Sequence, residues 1–414
     1  MTASVDNGTT ATNFRFPDTT DQSRFEAVCQ NLREQAPVVC VDLPDGLTAW
    51  VITRYADGKR AFMDQRLVKD LRNLTDPSHG LAGTRYAEDV FAVEGRHMLN
   101  SDGVDHVRLR KAVGNELSAS AIARRRSEVE QVCRELVRDF RAEDTVDLMS
   151  AYAQPVPEIV MARVLGIEDD TLRAAAVLSR KLGERADPAS PEMRGVYHDL
   201  LDMIIDCTRD PAAAPDGTVL AALHRAHAEK TISRRELLST VAMLLGAGIS
   251  STAIAIGHSV STLLGTAEAL RGLLADEGEA AVLVEELLRH HPPFPFSPWR
   301  FAREAVEVAG VTIPAGAVVF ILLAAVNRDS TMIEDADALI PHRQDRNGHL
   351  TFGYGPHFCV GAHLARTEIA ISLSVLFEEL PRLRPVADAA QPPWQGLLFD
   401  RTPSTLLVHP GMTS

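Results

Sequence analysis

Cysteine is scarce in this chain. Five occur in 414 residues (Cys29, Cys40, Cys133, Cys207 and Cys359), with no Cys-x-x-Cys pair among them. An odd, unpatterned set excludes a disulfide scaffold and fits a reducing cytoplasm. Positive charge is also short: 42 Lys and Arg stand against 56 Asp and Glu, a net charge of -14, which argues against a nucleic-acid partner. Met1 to Pro17 is polar and threonine-rich, without the basic-then-apolar run of a signal peptide or the roughly 18 apolar residues of a membrane anchor. No internal repeat, low-complexity tract, flavin motif or dinucleotide glycine fingerprint is present. The chain is read as a cytoplasmic monomer with no membrane contact.

At 45% hydrophobic and 24% charged, the composition suits a globular protein with a sizeable core. Residues 1–20 read as a disordered tail and residues 21–414 as one domain. Val38-Val39-Cys40-Val41 and Thr48 to Thr53 flank Pro44-Asp45-Gly46 and predict a hairpin. Helical periodicity dominates from about Asp105 to Leu380, with breaks at Pro155 to Pro157, Asp187 to Pro191, Asp210 to Gly217 and Pro292 to Pro298. Val306 to Val311 and Ala317 to Leu323, around Pro314-Ala315-Gly316, predict a second small sheet. The fold class is mainly α with small β-sheets.

One cysteine stands in a patterned loop. In Phe352-Gly353-Tyr354-Gly355-Pro356-His357-Phe358-Cys359-Val360-Gly361, Gly355 and Gly361 permit backbone turns and close approach to a flat group, and Pro356 stiffens the loop. Helix-forming residues from Ala362 onward put Cys359 at a helix N-terminus, where an anionic thiolate is favoured. A buried structural thiol is the plainer alternative. Zinc fails because Cys359 and His363 lack a second pair at ligand spacing.

The spacing Phe-x-x-Gly-x-x-x-Cys-x-Gly resembles the cysteine loop of the cytochrome P-450 family, the haem-thiolate monooxygenases. The resemblance covers nearly the whole chain and implies the P-450 fold, with haem b (iron protoporphyrin IX) between a long distal helix and the cysteine-loop helix. Cys359 becomes the axial ligand, with Phe352 covering its sulfur. Glu286 and Arg289, three apart on a helical run, match the family's structural ion pair, and its third partner, usually an arginine, is replaced by Leu339 in ungapped register, leaving His342 or Arg343 to substitute. His106, Arg110, Arg300 and His357 match residues that hold the haem propionates.

Ala247, Gly248, Ser250 and Ser251 fall where the family's distal helix passes over the iron and opens locally to admit oxygen and water. Gly248 in mid-helix costs about 1 kcal/mol relative to alanine and marks a close approach. The family places an acid and then an alcohol here to feed protons to dioxygen. This chain has Ser250 and Ser251, and residues 246–257 contain no Asp or Glu. Phe294, Phe296, Leu397 and Leu398, with the Arg72 to Met98 segment, are expected to line an apolar substrate pocket.

The resemblance implies electrons from NAD(P)H through ferredoxin reductase and ferredoxin, docking on a basic patch of Arg66, Lys69, Arg108, Lys111 and Arg343. Its expected reaction is insertion of one atom of O2 into a bulky natural product. Oxidative coupling, motivated by the altered serines, and a non-catalytic haem sensor are the alternatives.

Overall fold

The computed structural model describes residues 14–15, 21–42, 48–74, 96–183, 191–343, 348–386, 394–395 and 401–411. Apolar residues spaced by three and four build the helical body. In the Arg126–Phe140 helix, Val129, Val132, Cys133, Val137 and Phe140 are all buried, and this face packs on the Ala362–Glu379 helix. The longest element is Arg234–Leu264, 31 residues. It opens with a capping box in which Ser233 N–H donates to Glu236 (2.7 Å) and Glu236 N–H donates to the Ser233 hydroxyl (3.2 Å). By length and apolarity it could cross a membrane, but 67% of its most apolar stretch is buried, and it packs against the Pro155–Leu165 and Ala362–Glu379 helices. It is the core helix of this fold.

Pro155 starts a helix instead of breaking one. It sits at the first helical position, where its missing N–H costs nothing, after a wide π-type turn at Met149–Ala153.

The predicted hairpin forms, Val38–Asp42 pairing antiparallel with Thr48–Ile52. The second sheet differs from expectation. Val306–Val308 pairs only with Val311–Ile313, while Val318–Ile321 leaves to lie parallel to Thr48–Ile52 in the N-terminal sheet, with Arg300–Ala302 and Leu67–Val68 beyond it. The period-two alternation of Val318-Val319-Phe320-Ile321 explains the merger, since both faces need cover. Val318 and Phe320 join one apolar cluster and Val319 and Ile321 another. Within the expected N-terminal tail, Phe14–Arg15 pairs parallel with Val41 and Asp42; the rest of 1–20 lies outside the described residues, as does 75–95 of the expected pocket segment.

Candidate functional site

The cysteine loop is held by its own backbone. Cys359 N–H donates to the Phe352 carbonyl (2.9 Å), Phe358 N–H to that of Gly355 (3.0 Å), and Gly353 N–H to that of Leu350 (2.8 Å). The left-handed residues are Gly353 (φ 74°) and Gly355 (φ 77°). Gly361 differs from expectation. Its φ of -87° suits any residue, and it serves as the cap of the Ala362–Glu379 helix, with its N–H lowering the energy of a Cys359 anion. A side chain on Gly355 would run into the Met63 sulfur.

Cys359 is open to solvent on one side. Protein packed around it pushes the thiol pKa up, against the Gly361 N–H and the Arg110 and Arg366 charges, which pull it down. Metal coordination would deprotonate it outright. Phe352 is half-buried under the Arg366 guanidinium, 4.3 Å from the ring centroid, and Arg366 in turn grips Glu285 at 2.6 and 2.9 Å.

His106, on the Gly103–Gly114 helix, and His357, in the cysteine loop, meet with ring centroids 4.1 Å apart. Asp102 stands beneath them, 3.7 Å from His357, and accepts the Lys69 (3.0 Å), Asp70 (2.9 Å) and Asn73 (3.0 Å) N–H groups. Burial alone would raise the Asp102 pKa, but His357 and these donors outweigh it and hold the carboxyl well below the usual range. Burial pushes His357 down to about 4 and Arg300 to about 10, and also lowers His106 and Arg110. Arg300 is 3% exposed, with one hydrogen bond to the Leu67 carbonyl at 3.2 Å. Among the described residues, His106 Nε2 and Arg300 Nε are buried without a partner.

Asp102 is not among the residues singled out from the sequence, and Lys69 is singled out there only as a docking cation. A single lysine after a short apolar run reads as surface, yet Lys69 is 3% exposed, its ammonium donating to the Pro298 (3.2 Å) and Trp299 (2.7 Å) carbonyls. Its contribution to a basic docking patch is therefore excluded. Arg343 leaves that patch too, while Arg66 is engaged by Asp64 and Arg108 by Asp105 and Glu236.

Arg343 is the third partner of the ion pair. Glu286 and Arg289 are joined at 2.7 and 2.8 Å, both about 5% exposed, and Glu286 also accepts the Ile340 N–H (2.7 Å) and Arg343 Nε–H (2.9 Å). Arg289 spends its remaining donors on the Asn327 (2.9 Å), Ala336 (2.7 Å) and Ala338 (2.9 Å) carbonyls. His342 points elsewhere, to Glu279 at 2.8 Å.

On the long helix, the Ser251 hydroxyl donates to the Ala247 carbonyl at 2.7 Å, and Ala247 is exposed. The helix is unbroken from Arg234 to Leu264, so the local opening implied by the resemblance is absent here. At Gly248 the close approach is that of Met161 from the Pro155–Leu165 helix, whose methyl would collide with any Cβ. Ser250 is half-buried. On the cysteine-loop helix Glu368 is 1% exposed, and burial raises its pKa well above normal.

Phe294 is half-buried, but Phe296 belongs to the core and not to a pocket. It is 1% exposed, bridges to Leu322 and packs its ring 5.9 Å from that of Phe320. Apolar character cannot separate cavity lining from core in a sequence. Leu397 and Leu398 lie outside the described residues.

The buried Arg300 and Lys69 side chains, the two imidazoles and the unpartnered nitrogens gather near Asp102, with Asp64 a further carboxylate acting on Arg300. Such a surplus of donors fits a group bearing two carboxylates, as haem does, beside an open thiol.

Comparison with known proteins agrees. The family model "Cytochrome P450" matches residues 281–395. Cytochrome P450 107B1 of Saccharopolyspora erythraea is 33% identical over 398 residues, covering 96% of this chain and 97% of that one. The 6-deoxyerythronolide B hydroxylase of the same organism is 32% identical, covering 89% and 92%. Among solved structures, CxnD, a cytochrome P450 for C–S bond formation in chuangxinmycin biosynthesis, superposes with a TM-score of 0.87 at 26% identity, covering 98% and 99%. The tirandamycin C-bound monooxygenase TamI gives 0.84 at 30%, covering 96% and 99%. The chain belongs to the cytochrome P450 family and is a monooxygenase of that class, a haem enzyme with a cysteine thiolate ligand.

Proposed function

We propose that the protein is a cytoplasmic, single-domain monooxygenase that inserts one atom of O2 into a bulky, largely apolar natural product, with Cys359 as its axial ligand. The observation that carries this reading is the cluster of His106, His357, Arg300 and Lys69 near Asp102, beside a cysteine at a helix N-terminus. Bound haem would supply oxygen activation assisted by electron donation from the thiolate. His106, Arg110, Arg300 and His357 would hold the propionates, and Arg366, stacked on Phe352, would fix the covering of the sulfur. Ser251 would hold a water beside the reacting oxygen. Phe294 would meet the substrate. Electrons would come from NAD(P)H through ferredoxin reductase and ferredoxin. A relative named for polyketide biosynthesis and another named as a 6-deoxyerythronolide B hydroxylase support a polyketide-like scaffold.

A second reading rests on Ser250. Without an acid beside Ser251, protons would come through other waters or from a hydroxyl or acid on the substrate, or the reaction joins two substrate atoms without inserting oxygen. The similarity to CxnD, a C–S bond-forming enzyme, favours keeping this reading. Titration of a polyketide panel, followed by the haem high-spin shift and by product mass, decides between them. A gain of 16 mass units from O2 supports insertion. Loss of two hydrogens with no oxygen gained supports coupling, and no spectral response to any organic ligand overturns both.

A further inference from the structure

A cavity of about 440 Å³ lies between the Gln22–Gln35 helix, the end of the Glu277–His290 helix and Trp394, and shares no residue with the cluster around Asp102. Its volume is within the range of small-molecule sites. It reaches the surface at Ser23 and Gln30, both exposed, and Phe25, Pro293, Pro295 and Trp394 give it apolar walls. His258, from the long helix, packs its ring 4.7 Å from that of Trp394. It is 7% exposed, and neither ring nitrogen makes a hydrogen bond of normal geometry among the described residues, although the Arg401 and His291 backbones favour its protonation. Burial nevertheless pushes His258 down to about 3 and His290 to about 4, and lowers His291, so the three rings line the cavity uncharged.

Two guanidinium groups in this cavity have donors to spare. Arg33, 8% exposed, makes one hydrogen bond, to the Ala325 carbonyl at 3.4 Å, and stands 4.0 Å from Asp337. Its Nε and Nη2 groups donate to nothing among the described residues. Arg328 puts Nε and Nη2 on the His290 carbonyl at 3.0 and 2.7 Å, while its Nη1 is left 3.6 Å from Glu26. Both ion pairs are longer than a charge-assisted hydrogen bond, about 2.7–2.9 Å, and both acids turn to water, with side chains 62% and 34% exposed. The two arginines are neighbours, since the Ala325 carbonyl that receives Arg33 also receives the Arg328 N–H at 3.0 Å. Burial pushes the Cys29 thiol up to about 12, against the pull of Arg328, Arg401 and Arg33, so three cations surround one point of the wall. Arg401 is spent on Gln22, at 3.1 and 3.3 Å, and on the Phe25 ring, with Asp21 acting on it from outside the cavity.

We propose that this cavity binds a small aromatic carboxylic acid, separate from the oxidised substrate, whose carboxylate bridges Arg33 and Arg328 and whose ring lies against Trp394. The carboxylate makes the short charge-assisted hydrogen bonds that Glu26 and Asp337 stand too far away to make, and so relieves two half-satisfied buried cations. Those two acids also limit the charge of the ligand. A dianion such as a phosphate ester is repelled by both, whereas a single negative charge held between the guanidiniums is accommodated. The aromatic body follows from the walls, where Trp394 and the uncharged imidazoles present flat faces.

The test is calorimetric titration of the haem-loaded protein with 2-naphthoate, while 4-phenylimidazole occupies the haem side. Wild type is expected to bind with a Kd below about 1 mM. The uncharged 2-naphthamide, of the same shape, should bind at least about tenfold more weakly, and Arg33→Gln should weaken naphthoate binding about ten- to hundredfold. Arg33→Lys should lose less, because the charge stays and only the fork is lost. Trp394→Leu should cost about fivefold. No saturable binding to wild type overturns the proposal, and so does equal affinity for naphthoate and naphthamide, a comparison that needs no variant. Unchanged naphthoate affinity in an Arg33→Gln protein of ordinary urea midpoint overturns the assignment to Arg33. Naphthoate that shifts the haem spectrum by itself and is displaced by 4-phenylimidazole belongs to the substrate pocket, which overturns the separate site. Each of these outcomes leaves the reading of Cys359 as axial ligand untouched.

Discussion

Arg343 Nε and Arg289 Nη2 donate to the same oxygen, Oε1 of Glu286, at 2.9 and 2.8 Å. Two guanidinium groups thus share one buried carboxylate, and the Ile340 N–H makes a third donor to the same atom at 2.7 Å. Removing Glu286 leaves two buried cations without a counter-charge. Glu286→Ala should cost about 3–5 kcal/mol and give little soluble, haem-loaded protein. Arg343→Ala leaves the Arg289 pair in place and should cost about 1.5–3 kcal/mol, the range for a hydrogen bond to a charged group. His342→Ala, at the surface, should cost under about 1 kcal/mol. Urea midpoints of the three variants give the order; a milder Arg343→Ala than His342→Ala contradicts the assignment.

Cys359 is expected to hold the haem iron. Reduced protein with carbon monoxide should show the far-red-shifted thiolate band in wild type and lose it in Cys359→His. Persistence of that band in the variant rules out Cys359 as ligand.

For the serines, the quantity to measure is coupling, product formed per reducing equivalent together with peroxide released. Ser251 takes its hydrogen bond from within its own helix, to Ala247. If the substrate or another water path brings the protons, Ser251→Ala stays near wild type and Ser250→Asp is not needed for turnover. Collapse of Ser251→Ala by the full general-acid factor, about 10²–10⁴, shows instead that Ser251 replaces the family's alcohol. Near-normal coupling in Ser251→Ala supports substrate-assisted proton delivery or coupling chemistry, and the first of these predicts loss of turnover on a substrate lacking its own hydroxyl.

Acid stability should depend on Glu285. Burial raises its pKa, but hydrogen bonds from Arg366 and His349 overcome this and bring it down to about 2, from an ordinary 4.5. With the folded value below the unfolded one, the contribution to stability is complete above about pH 4.5 and is lost as pH falls toward 2. Wild type should lose urea resistance between pH 4.5 and 3 more steeply than Glu285→Gln. Equal slopes would show that the pair contributes nothing.

The parts of the site legible in the sequence were those fixed by local spacing. Glycines around one cysteine, and Glu-x-x-Arg on a helical run, express their geometry within a few residues. Arg343 could be named only as one of two candidates, because its choice over His342 depends on a loop folding back across the helix bearing Glu286. Asp102 escaped notice, and Lys69 was read as a docking cation, because their surroundings are set by packing between distant segments. Phe296 was mistaken for pocket lining for the reason that an apolar ring serves core and cavity alike. In the sheet, Val318–Ile321 has strand character on its own, but its partner Thr48–Ile52 lies some 270 residues away, and pairing at that separation leaves no local trace.

The excess of buried donors over carboxylates at Asp102 couples cofactor uptake to folding. On the proposed propionate site, desolvated donors would penalise the native chain until two propionates bind, and ligand binding would supply part of the free energy that closes this region. Folding and haem loading would then be linked, with a melting temperature expected to rise with free haem concentration. A chain starved of cofactor during synthesis would populate partly open states around the Gly103–Gly114 helix, where proteolysis finds its substrate.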